Sequence, residues 1–126
     1  MELYNSIEHI YPQNPTADYW KQRFNYGHYN KRFRNSLGNL LILSAPKNEK
    51  LANRPFPEKC CNKDNNIGYQ FGSYSEMEVA RNSDWTSKTI LERGIKLLQF
   101  INQKWNLDIK KKDFKKILGL DISLKK

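Results

Sequence analysis

Residues 37–50 read Leu37-Gly38-Asn39-Leu40-Leu41-Ile42-Leu43-Ser44-Ala45-Pro46-Lys47-Asn48-Glu49-Lys50. The one strongly apolar run of the chain lies at 40–43, and its length and flanks predict a buried strand. Ser44 follows at once as a helix N-cap, with Pro46 in the first turn. A helix is therefore predicted over 45–52, stopping before Pro55. Working outward, residues 5–11 hold Ile7 and Ile10 and end at Pro12, the pattern of another short strand. The segment between the two strands is polar, with Pro12, Pro15, Gly27 and Gly38, and has room for a short helix around 18–24. The N-terminal half thus reads strand, loop, strand, helix.

On the C-terminal side, Pro55-Phe56-Pro57 and the Asn/Gly-rich stretch 62–73 read as loop, and 75–82 as a short helix. The clearest helix spans 87–105. There Ile90, Leu91, Gly94, Leu97, Leu98, Ile101 and Trp105 share one face, and Ser83 or Thr86 can cap the start. Phe114, Ile117 and Leu118 suggest a last helical turn or two before Gly119. No internal repeat is present.

The 126 residues suit one domain with a core that needs no staples. Hydrophobic residues make up 38% and aromatics 13%, so the core is expected to be small and aromatic-rich. No apolar run approaches a membrane span, and the N-terminus lacks the regions of a signal peptide. The two cysteines, Cys60 and Cys61, are adjacent and read as reduced thiols, which excludes a disulfide scaffold and a zinc ribbon. The expectation is a cytoplasmic protein with an anionic partner.

The net charge of +9 is unevenly placed. Residues 108–126 carry seven Lys against three Asp, a net of +4, so the chain is divided into a domain at 1–107 and a basic tail at 108–126. Between Asp18 and Glu49 no acid occurs, while Lys21, Arg23, Lys31, Arg32, Arg34 and Lys47 do. Tyr19, Trp20, Phe24, Tyr26, Tyr29 and Phe33 interleave with these cations. Cations neutralise phosphates and aromatic faces stack on bases, so the stretch points to nucleic acid. A solvated loop whose aromatics belong to the core is the plain alternative.

The chemistry gathers in the strand–loop–strand–helix unit. Glu8 and His9 stand near the end of the first strand, Asn39 opens the second, and Asn48 sits on the helix. A carboxylate, an imidazole and an amide oxygen can meet around one hard divalent cation, and a neutral imidazole can deprotonate water near pH 7.

At these residues the chain resembles the HNH, or His-metal-finger, nucleases. Within them it is most similar to the His-x-x-Pro subfamily found as the C-terminal domain of GmrSD-type, modification-dependent type IV restriction enzymes. The resemblance runs from Ser6 to about Trp105. It rests on Glu8-His9-Ile10-x-Pro12-Gln13, Leu37-Gly38-Asn39-Leu40-x-x-Leu43 and Asn48-x-Lys50. Downstream it includes Asn53-x-Pro55-Phe56-x-x-Lys59, Trp85-Thr86-x-x-x-Ile90-x-x-Arg93 and Trp105.

The resemblance implies an α+β fold, a ββα-metal core with added helices, and a DNA endonuclease. In it His9 aligns with the general base, Glu8 and Asn48 with ligands of one Mg2+ (or Mn2+), and Asn39 with the residue that orients the base and ties the strands. Lys50 is placed to meet a phosphate beside the cations above. The family implies DNA as partner, a role in modification-dependent restriction and phage defence, and an N-terminal nucleotide-handling sensor domain or separate subunit. No G-x-x-x-x-G-K loop is encoded here. A catalytically silent nucleic-acid-binding module and an RNA-cutting toxin are the rival readings.

Overall fold

The computed structural model describes residues 5–61 and 67–122. Strand β1 (Asn5–His9) pairs antiparallel with β2 (Leu40–Ser44), Glu8 facing Leu41 and His9 facing Leu40. Between them run α1 (Asp18–Arg23), a 3-10 turn (Gly27–Tyr29), α2 (Asn30–Asn35) and a second 3-10 turn (Leu37–Asn39). Helix α3 (Ala45–Leu51) follows β2 directly and packs on both strands. Then come α4 (Phe56–Cys60), a 3-10 turn (Tyr69–Phe71), α5 (Tyr74–Ala80), α6 (Ser87–Lys104), a 3-10 turn (Lys111–Asp113) and α7 (Phe114–Ile117). The chain is thus a mixed helical fold around a small two-stranded sheet. Among the described residues no helix is long and apolar enough to cross a membrane.

β2 is half-buried rather than the buried strand that its apolar run predicts: Leu41 and Leu43 point inward and Ile42 is exposed. Ser44 occupies the N-cap position of α3 but its side chain makes no capping bond. Thr86 caps α6 through a reciprocal pair with Thr89, as Ser73 does for α5 with Glu76. On α6, Ile90, Gly94 and Leu98 are buried, whereas Trp105, expected on that face, lies at the helix end and is 61% exposed.

The core is aromatic. Tyr11 stacks on Phe24 at 3.8 Å, beside Trp20 and Phe33, and Phe56 stacks on Trp85 at 5.2 Å. This corrects one expectation. Of the aromatics interleaved with cations, Trp20, Phe24 and Phe33 are buried and Tyr19 and Tyr26 pack against them, so they hold the long β1–β2 connection to the core.

The expected basic tail is, through residue 122, packed on the domain. Phe114, Leu118 and Leu120 are core residues, and Ser36 donates to the Leu118 carbonyl at 2.8 Å. Gly119, in the left-handed region at φ 74°, ends α7. That conformation lets Leu120 N–H return to the Lys115 carbonyl at 2.8 Å, closing the helix end. Lys125 and Lys126 lie outside the described residues. Two helices, α2 and α4, occupy stretches that read as loop; each is short and is held by inward residues, Phe33 in α2 and Phe56, Lys59 and Cys60 in α4. Cys60 and Cys61 are free thiols.

Candidate active site at the end of the first strand

A groove of about 360 Å³ is lined by Ser6, Glu8, His9, Gln13, Asn48 and Asn53, among others. His9 is half-buried, with Nε2 3.5 Å from the Gln13 amide nitrogen. Burial, then the positive charges of Lys59 and Arg34, hold its imidazole below its ordinary range. Both influences favour the neutral ring, the form that accepts a proton.

Asn48 reaches β1 from α3. Its amide nitrogen donates to Ser6 Oγ at 2.7 Å and to the Ile7 carbonyl at 3.0 Å. With the nitrogen side engaged, the amide oxygen is the end left for another partner. Thus His9 and Asn48, far apart in the chain, meet in one groove.

Asn39 is fully buried, and its side-chain amide makes no hydrogen bond with the His9 ring. Its Oδ1 accepts from Tyr11 N–H at 2.8 Å and Trp85 Nε1 at 3.0 Å. Its Nδ2 donates to the Tyr11 carbonyl at 3.0 Å and the Arg34 carbonyl at 2.9 Å. Its backbone carbonyl takes Ile10 N–H at 3.0 Å. Every polar atom of the side chain is satisfied. Asn39 thus clamps the backbone just after His9 to the start of β2.

Glu8 borders this groove as well, but its carboxylate is turned into the interior. Strand neighbours point to opposite sides, and the Glu8 side chain goes inward, 2% exposed. There Oε1 lies 3.4 Å from the Lys59 ammonium and Oε2 accepts from the Tyr69 hydroxyl at 3.0 Å. Burial raises the Glu8 carboxyl above its ordinary range and brings Lys59 down to about 8, while each charge steadies the other. In this geometry both oxygens of the Glu8 carboxylate are thus engaged by protein partners, Lys59 and Tyr69. For a hard cation the groove offers amide oxygens. Among the described residues no three His, Cys, Asp or Glu side chains converge. Such a donor set fits a weakly held ion whose shell is completed by water and phosphate.

The seven expected phosphate-binding cations separate. Arg23 is paired with Asp84 at 2.5 Å and lies 3.6 Å over the Tyr19 ring; Lys47 is paired with the buried Glu76. These two serve packing. Arg32 meets Asp121 at 3.7 Å in an exposed, weak pair. Lys21, Lys31 and Lys50 are exposed. Arg34 lies 5.1 Å over Tyr11, and its charge is felt at His9. Arg93 donates to the carbonyls of Gly38 and Leu40 at 2.9 and 2.8 Å, so it braces the entry to β2.

The residue given no role from the sequence is Lys59. Its signal was its phase: it stands three residues after Phe56, on the same inward side of α4.

Comparison with known proteins adds one match. The family model for the C-terminal domain of GmrSD restriction endonucleases covers residues 1–109. No curated protein and no solved structure matches the chain.

Proposed function

This chain belongs to the GmrSD restriction endonuclease C-terminal domain family, and from that membership we propose that it hydrolyses phosphodiester bonds of DNA with His9 as general base. The observation that carries this reading is the meeting of His9 and Asn48 in one groove on a strand–strand–helix frame. That order is the one expected of a ββα-metal core, as in the HNH nucleases the motifs resemble. Neutral His9 takes a proton from water, which attacks phosphorus in line, and the products carry 5′-phosphate and 3′-hydroxyl ends. Asn39 holds the strand end that carries His9, and Arg34 places positive charge beside it. A magnesium- or manganese-type cation would be held through the Asn48 amide oxygen and would supply charge neutralisation at the phosphate.

The domain's place is in modification-dependent restriction, a form of phage defence. Sensing and nucleotide handling fall to an N-terminal domain or separate subunit. The test is nicking of supercoiled plasmid with and without magnesium or manganese, beside structured RNA. Metal-stimulated nicking of DNA is expected. Binding without cutting under any metal would make this a silent binding module, and cutting of RNA alone would make it a ribonuclease.

Asn48→Ala is expected to raise the metal concentration for half-maximal nicking about 10- to 100-fold. A metal titration with an unmoved midpoint would remove Asn48 from the cation site.

Exposed Lys110, Lys111, Lys112, Lys115 and Lys116 supply affinity. Replacing all five by Gln leaves the anchors Phe114, Leu118 and Leu120 in place. The slope of log affinity against log salt is expected to flatten by about 0.9 for each phosphate of duplex DNA that the variant no longer neutralises. The rate at saturating DNA stays near wild type. An unchanged slope would show that this face does not touch DNA.

A further inference from the structure

Lys59 is fully buried, an arrangement that needs a reason. Its ammonium has three protons and three acceptors: the His9 carbonyl at 3.1 Å, the Ile10 carbonyl at 3.0 Å and Glu8 Oε1 at 3.4 Å. Glu8 is closed in turn by the Tyr69 hydroxyl, itself buried. For stability alone an apolar side chain often serves as well as a buried ion pair. What the ammonium adds is geometry. Along a regular strand successive carbonyls point to opposite edges. One nitrogen can grip both the His9 and Ile10 carbonyls only where the strand turns out of its regular path, and β1 ends at His9. Asn39 holds the next residues from the other side, through Ile10 N–H and both backbone groups of Tyr11.

We infer that Lys59 is a positioning residue for His9, fixing the backbone turn that aims the imidazole into the groove, and that Glu8 acts as its buried counter-ion. The functional half of this rests on His9 being the base; the geometric half does not.

The test uses the full chain carrying Glu8→Gln with Lys59→Met, which removes both charges together and so strands neither. Thermal unfolding verifies the fold. With histidine ring nitrogens labelled, the chain shows two imidazoles, His9 and His28, and exposed His28 is the internal control. The His9 ring signals are expected to shift or split in the double variant while those of His28 stay. Single-turnover nicking at saturating DNA is expected to fall about 100-fold, the scale of a misplacement of about 1 Å, with DNA affinity kept. Wild-type His9 signals in a folded double variant overturn the proposal whatever the rate does. Altered signals with a wild-type rate overturn it as well. If the wild type cuts nothing, the proposed function fails, and the ring signals still decide the geometry. If the double variant does not fold, Tyr69→Phe takes its place. That change keeps the ring and frees one Glu8 oxygen, so a smaller shift of the His9 signals is expected, and none overturns the inference.

Discussion

His9→Ala is expected to lower the rate of DNA cleavage about 100- to 10,000-fold, the range over which a general base acts. The side chain is half-buried at a groove and, among the described residues, makes one polar interaction at the limit of hydrogen bonding, to Gln13 at 3.5 Å. Removing it leaves no buried donor or acceptor without a partner, so the melting temperature should stay within a few degrees. The backbone around it is held by other groups: Lys59 on the carbonyls of His9 and Ile10, and Asn39 on the backbone of Ile10 and Tyr11. DNA affinity should also stay, because the exposed lysines are untouched. The measurement is single-turnover nicking at saturating DNA, with unfolding and binding followed on the same sample. A folded variant that nicks at the wild-type rate would take the base role away from His9.

Gly38→Ala is expected to damage the whole domain. The turn before β2 lies directly on α6, and a Cβ at residue 38 would stand 1.9 Å from the Ile90 carbonyl oxygen and 2.8 Å from Gly94 N. Both are backbone atoms of a helix, and neither can swing aside as a side-chain tip can. Relief requires the turn to lift, and with it the Arg93 bonds to the carbonyls of Gly38 and Leu40. Asn39, next in the chain, would lose its alignment with Tyr11 and Trp85. Overpacking of this kind costs about 3 kcal/mol or more, which lowers the melting temperature of a domain this size by roughly 10 °C. Circular dichroism on heating gives the answer. A variant melting within about 2 °C of wild type would show that the turn does not bear on α6 as described. Activity should fall in step with folding, the opposite of His9→Ala, where the two separate.

Much of the frame was legible in residues 5–11 and 37–52. An apolar run of strand length, a serine and a proline in the first helical turn are local signals, and β2 and α3 formed where they predict. Periodicity over 87–105 located α6 for the same reason: a long amphipathic face is written into one segment. The short helices α2 and α4 escaped, because five or six residues carry no readable period and their helicity comes from inward anchors such as Phe33 and Phe56. The His9 and Asn48 positions were legible as motif residues, and the structure brings them to one groove.

By itself the sequence determined the strand–loop–strand–helix order, the capped long helix, the excess of cations and the motif residues, since each is a property of neighbours in the chain. Tertiary structure alone decided which side of β1 is the interior. Alternation places Glu8 and His9 on opposite sides of a strand, yet nothing local says which side is buried. The answer depends on Lys59, fifty residues after His9, and on Tyr69, sixty-one after Glu8. The same holds for Asn39, whose partner Trp85 lies forty-six residues on, and for cations such as Arg23 and Lys47, whose carboxylates arrive from the approach to α6 and from α5 respectively. Pairings at such separations arise from how the packed elements bring distant segments together, and no window of the sequence contains both members.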